Sequence, residues 1–254
     1  MYATALAVAF YLAGTLSVFL FLRAARYGVG YVSVAWPPRW QELRKSQENL
    51  YATRAQRALQ RGNYSEAILS LEMVTRLNPH NYPAGLALAG LCQYAAQPYI
   101  ADQIYERLMR DVPEQRRQTA QIWFRTLLAR AAYDKIQELA LNMLTEDPGE
   151  RAAWLNALLF SCRQTGNHAF LGTIATEHPH LPEWCTELIG IEQLLLQNQL
   201  AAALPRLTRV YRQPAAAYLP YYQIDRLLRH GQTDQANALL HAYQNLLAPD
   251  EAAF

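Results

Sequence analysis

The sequence predicts an all-α chain: an α-solenoid of about six helix pairs behind one N-terminal transmembrane helix. Three observations predict it. Residues 2–22 carry no charge. A small or apolar residue recurs at steps of 33 to 35 along the ladder Ala67, Ala101, Ile136, Ala169, Ala203 and Ala236. No strand-rich stretch, βαβ pattern or second domain interrupts that recurrence, which is the signature of stacked repeats.

The chain has 254 residues, 52% of them hydrophobic and 17% charged, which excludes a disordered chain. Its three cysteines, Cys92, Cys162 and Cys185, cannot pair fully and contain no CxxC, so a disulfide framework and a zinc ribbon are unsupported. Widely spaced thiols suit a reducing compartment. Net charge is +2 but uneven. Residues 23–61 hold eight Lys and Arg against Glu42 and Glu48, whereas the remainder holds fifteen against nineteen acids. A basic collar ahead of a mildly acidic body is the wrong distribution for a nucleic-acid binder, whose basic face lies on the folded domain.

The apolar stretch YATALAVAFYLAGTLSVFLFL, taken with Met1 as the segment 1–22, reaches about 31 Å as a helix, the thickness of a hydrocarbon core. A cleaved signal peptide is the rival; it wants a basic n-region and an A-x-A-like site before a polar mature sequence, and neither is present. Arg23, Arg26, Arg39, Arg44 and Lys45 all follow the span. The positive-inside rule then expects a single-pass protein with its C-terminal body in the cytoplasm.

Residues 23–46 read as a basic and aromatic juxtamembrane linker. Arg23 and Arg26 suit anionic headgroups, and Tyr31, Trp36 and Trp40 suit the half-wet interface. Membrane lipid is therefore one expected partner. The strip 27–40 is either a connector lying on the membrane or a docking strip for a membrane partner.

The segments RGNYSEAILSLEMVTRLNP, QPYIADQIYERLMRDVP and RAAYDKIQELALNMLTEDP align at this period, with Pro79, Pro113 and Pro148 in one place. They resemble the tetratricopeptide repeat family. Gly62, Tyr64, Ala67, Leu71 and Pro79 match its turn glycine, aromatic, small packing residue, large apolar residue and terminal proline. The glycine permits a tight turn, the small residue a close helix contact, and the proline a stop. Trp154 and Gly231 fit later units; Gly166 falls late, and Pro205 follows Ala203. Repeats of this kind would fill 47–254.

The resemblance implies a partner-binding groove lined by the first helix of each unit. Its register assigns Tyr94, Gln121, Arg125, Arg163, Glu192, Tyr221, Asp225 and Arg229 to that groove; the alternative is solvated helix faces. The family's Lys and Asn clamp for a C-terminal carboxylate is absent, Asn49, Ala52 and Gln56 standing there.

No Gly-rich phosphate loop, GxSxG or HExxH occurs. Glu177, His178, His180 and Cys185 are the one cluster of metal-ligand types, on a Pro-broken loop that offers too few ligands for zinc. The expectation is a protein that is not an enzyme, with no catalytic residues, metal, cofactor or small-molecule substrate. The expected function is that of a membrane-tethered scaffold or adaptor that binds and assembles partner proteins at the cytoplasmic face of the inner membrane. The stretches FLFLRAARYG and AQRALQRGNYSEA resemble HemY-type membrane proteins linked to heme synthesis. The layout also resembles LapB-type regulators of envelope biosynthesis, without their cysteine-rich module, and the repeat subunits of exopolysaccharide synthases. These bacterial resemblances imply a bacterial inner membrane as the location, and the alternative of a regulator of a client membrane enzyme in heme, envelope or exopolysaccharide biosynthesis.

Overall fold

The computed structural model of the chain describes residues 2–24, 30–35, 40–211 and 218–244. Every regular element among these residues is helical. The chain divides into two compact units, Met1–Trp123 and Phe124–Phe254.

In the first unit, α1 (Tyr2–Ala24) is the apolar helix and α2 (Tyr31–Ala35) is one short turn after it. α3 (Trp40–Gln60) then pairs with α4 (Tyr64–Leu77), and α5 (Tyr82–Tyr94) with α6 (Pro98–Asp111). α7 (Arg116–Ala129) crosses the division. In the second unit α8 (Tyr133–Glu146) follows, then α9 (Arg151–Thr165) with α10 (His168–Glu177). α11 (Glu183–Leu196) pairs with α12 (Leu200–Leu207), and α13 (Tyr218–Arg229) with α14 (Thr233–Gln244). Among the described residues these helices follow one another as six tetratricopeptide-like helix–turn–helix units, from α3/α4 to α13/α14.

One turn recurs between the two helices of every pair. Gly62, Ala96, Ala131, Gly166, Asn198 and Gly231 each adopt positive φ, between 54° and 71°. The next residue sends its N–H back to a carbonyl five positions earlier: Asn63 to Ala58, Gln97 to Cys92, Ala132 to Leu127, Asn167 to Cys162, Gln199 to Leu194 and Gln232 to Leu227, at 2.8 to 3.0 Å. This is the Schellman closure, which satisfies the orphan carbonyls of one helix while starting the next. Asn63 and Asn167 add a side-chain cap to the following helix, on the N–H of Glu66 and Phe170.

Four residues after each of these N-caps comes the closest packing position of the second helix. Ala67, Ala101, Ile136 and Ala203 are fully buried there, and Ala236 nearly so. In the fourth pair the occupant is Leu171, also fully buried, and Ala169 is exposed. The expected ladder is thus wrong at that rung. The Gly166 turn comes 35 residues after Ala131 and only 32 before Asn198, so a strict period reads the fourth unit two residues early.

Core packing in the first unit is tight. A methyl group on Gly85 would fall 2.6 Å from Leu108 Cδ2, so glycine lets α5 and α6 close up. Trp123 donates from Nε1 to the buried Asp102 carboxylate at 2.7 Å, under the stacked ring of Tyr105.

Candidate partner-binding face

The richest polar constellation lies in the second unit, on the first helices α9, α11 and α13. Its centre is Glu192 on α11, with only 1% of its side chain exposed. Arg163 of α9 donates to Glu192 Oε2 at 2.9 Å, and Tyr222 of α13 donates to the same oxygen at 2.7 Å. Arg226 of α13 reaches Oε1 at 3.7 Å. A buried carboxylate of this kind is tolerable only when charge partners and hydrogen bonds replace the lost water.

The constellation continues outward along α13. Arg226 also binds Asp225 through two nitrogens, at 2.7 and 3.2 Å, and Arg229 reaches the other oxygen of Asp225 at 2.8 Å. Tyr218 bridges directly to α9, donating to Asn156 Oδ1 at 3.1 Å. Positions 218, 222, 226 and 225, 229 are each one turn apart, so one side of α13 supplies the whole row.

Burial sets the protonation of this face. It raises the Tyr222 hydroxyl well above its ordinary range, and the Glu192 charge adds to the effect. Burial likewise pushes Tyr218 up to about 12. Cys162, behind Glu192, rises to about 12, first through burial and then through the Glu192 charge. The phenols therefore stay protonated donors and the thiol stays uncharged at neutral pH; neither is poised as a nucleophile. Asp225 is held below its usual value: burial opposes this, but hydrogen bonds from Arg229 and Arg226 prevail.

The residues assigned to a groove by sequence fall in three settings. Arg163, Glu192, Asp225 and Arg229 join one network; Arg163 keeps 22% of its side chain exposed, and Tyr221, next to Tyr222, is exposed at the rim. Gln121 and Arg125 are exposed on α7. Tyr94 ends α5, largely exposed, its ring 4.9 Å from that of Tyr64. The groove assigned from sequence leaves out Tyr218, Tyr222, Arg226 and Asn156; the two tyrosines stand out there only as part of an unusually aromatic C-terminal end. The one-turn spacing of Tyr218, Tyr222 and Arg226 was the available signal.

A second cluster stabilises the end of this unit. Pro205 lies inside α12, which is only eight residues long. The buried Gln223 side chain donates to the carbonyls of Leu207 and Arg209, at 2.8 and 3.0 Å, substituting for the missing turn. Tyr243 donates to Gln223 Oε1 and accepts from the Tyr211 N–H, both at 3.0 Å. Arg206 binds Glu187 through two nitrogens, at 3.0 and 2.6 Å. A methyl group on Gly190 would lie 2.9 Å from that guanidinium.

Among the described residues no group of three or more His, Cys, Asp or Glu is placed to hold a metal. Cys185 is buried, while the His178 and His180 rings meet edge to face on the loop before α11.

At the N-terminus, α1 is long and apolar enough to cross a membrane. α2 doubles back along it: Tyr11 donates to the Ala35 carbonyl at 2.5 Å, and the hydroxyls of Thr15 and Tyr31 lie 3.1 Å apart. Tyr31 also packs edge-on against Phe19, so its ring and hydroxyl are both engaged by α1. Arg23 sits over the Phe19 ring at 6.0 Å. Trp40 opens α3, so the helix begins inside the stretch 23–46. Arg26, Trp36 and the Trp40 side chain lie outside the described residues.

No protein-family model matches the chain, and no curated protein matches it. Among solved structures it is similar to one described as "Functional Characterization of Pseudomonas Aeruginosa pilF", with 17% identity over 82% of this chain and 96% of that one. The TM-score is 0.33, so the helix pairing described above rests on this chain's own turns and contacts.

Proposed function

We propose that the chain is a membrane-tethered scaffold that binds partner proteins through the α9–α11–α13 face. The observation that carries this is the Arg163–Glu192–Tyr222–Arg226 network. It locks three successive first helices together and holds Tyr221, Asp225 and Arg229 at an exposed rim. Rigidly presented tyrosine and arginine are the residue types that dominate protein interfaces. α1 supplies the tether, which raises the local concentration of anything the rim captures. The basic residues after α1 support a bacterial inner-membrane protein with its body in the cytoplasm. In a second reading the captured partner is a membrane enzyme of heme, envelope or exopolysaccharide synthesis; the stretches FLFLRAARYG and AQRALQRGNYSEA support the heme branch.

Crosslinking of the full chain in intact membranes, with mass-spectrometric identification, tests the scaffold. Tyr221→Ala combined with Arg229→Glu should abolish the main crosslinked partner and leave the helical spectrum unchanged. Arg76→Glu, on the exposed side of α4, is the control and should keep it. Retention by both variants would remove the α13 rim from the function. A reporter fused after Phe254 should be active in the cytoplasm; a periplasm-active fusion would reverse the compartment.

A further inference from the structure

α3 is longer than the other first helices, with 21 residues against 12 to 15. Along it and into the following turn, Lys45, Asn49, Thr53, Arg57 and Arg61 recur at every fourth position. Each step is one turn plus about 40°, so neighbours in the row touch while the row as a whole winds round the helix. Together they line an open cavity of about 830 Å³, whose other walls are further α3 residues and Glu66 of α4.

The charges on this wall do not balance. Lys45, Arg54, Arg57 and Arg61 face it, against Glu42 and Glu66. Glu66 is held by Arg54 at 2.8 Å. Lys45, Arg57 and Arg61 form no ion pair among the described residues. Lys45 and Arg57 alone are separated by about 18 Å along the helix. Such a row is too long for one small anion and too regular for a single buried site. It suits several separate anions met along the length of the helix.

We infer that this row along α3 docks on an anionic phospholipid surface, a second contact beyond the apolar α1 helix. The inference rests on the membrane-tether reading given above. Three features favour lipid over an acidic protein. The occupant is called for by charge. The row starts five residues after the start of α3, and α3 is in contact with α2, which packs on α1. Anions are also abundant where α1 would place this helix, at the cytoplasmic leaflet. Docking through two contacts would hold α3, and α4 packed against it, in one orientation to the membrane.

The test uses the full chain in vesicles. Cys92, Cys162 and Cys185 are buried, so a Thr53→Cys substitution at the exposed middle of the row takes an environment-sensitive fluorophore selectively. Quenching is read from a spin label on the lipid headgroup. It should be weak in phosphatidylcholine vesicles and severalfold stronger when phosphatidylglycerol is mixed in, and high salt should reverse the gain. Each cation near an anionic surface changes partitioning by roughly fivefold, so Arg57→Gln with Arg61→Gln should lower the docked-to-undocked ratio by about 25-fold. Equal quenching in both lipids, or full quenching in the double variant, would overturn the inference. So would polyglutamate abolishing labelled-site accessibility when phosphatidylglycerol does not, which would assign the row to an acidic protein. Alkaline extraction is read separately. A chain released by it lacks the α1 tether, and the dependence on phosphatidylglycerol still reports on α3.

Discussion

Arg163 Nη1 lies 2.9 Å from Glu192 Oε2, joining α9 to α11 across a carboxylate that is all but withdrawn from water. The pair is a structural connection as well as a feature of the candidate face. Removing Glu192 leaves Arg226, the Tyr222 hydroxyl and Arg163 without their shared acceptor. Breaking a buried ion network by deleting one member costs about 3–5 kcal/mol. Glu192→Ala should therefore shift the urea midpoint down steeply. Arg229→Ala, whose partner Asp225 stays bound to Arg226, should leave the midpoint nearly unchanged. Equal effects would show that Glu192 is not the keystone of the network.

Leu171 and Ala169 separate the true register of the fourth pair from the expected one. Leu171→Ala should cost about 2–5 kcal/mol because the residue is fully enclosed. Ala169→Ser should stay within about 0.5 kcal/mol, since it is exposed. Thermal melts of the two variants decide the matter; the opposite order would restore the strict period.

Two turns carry alanine where left-handed backbone favours glycine: Ala96 at φ 55° and Ala131 at φ 54°. Both are exposed, so side-chain loss is nearly free of packing effects. Ala96→Gly and Ala131→Gly should each stabilise by about 0.5–1 kcal/mol, the strain relieved outweighing the added chain entropy. Gly62→Ala, at φ 71°, should destabilise by a similar amount. Denaturant midpoints with unchanged slopes would measure this.

The buried thiols and phenols fix how the fold responds to alkali. Burial pushes Cys162 and Cys185 from an ordinary 9 to about 12, with nearby Glu192 adding to the first and Arg151 opposing the second. Burial and the Glu187 charge raise Tyr211, and burial raises Tyr218, from 10 to about 12. Between pH 9 and 12 the unfolded chain has shed these protons while the folded chain keeps them. Stability is thus complete below about pH 9 and falls as pH rises through that window, following linkage. Urea titrations at rising pH should show the decline. At pH near neutrality the native thiols should resist a disulfide reagent that modifies all three after unfolding. Rapid modification of the native chain would place a cysteine at the surface.

The amino-acid sequence by itself determined the helix class, the apolar first helix and most of the repeat ladder. These depend on local or periodic properties: an uncharged run of membrane length, a glycine at a left-handed turn, a small residue where two helices close. Ala67, Ala101, Ile136, Ala203 and Ala236 were legible for that reason. Only the tertiary structure decided the rest. Ala96, Ala131 and Asn198 make the same turn as glycine because the Schellman bond and the packing on either side impose it, so composition gave no sign. The two-residue slip that seats Leu171 in place of Ala169 follows from the lengths of α9 and α10 once packed. Glu192 read as a surface carboxylate because a lone acid on a helix normally is one. It is buried because Arg163, Tyr222 and Arg226 converge on it from helices up to 63 residues apart in the chain, and no local pattern encodes that convergence.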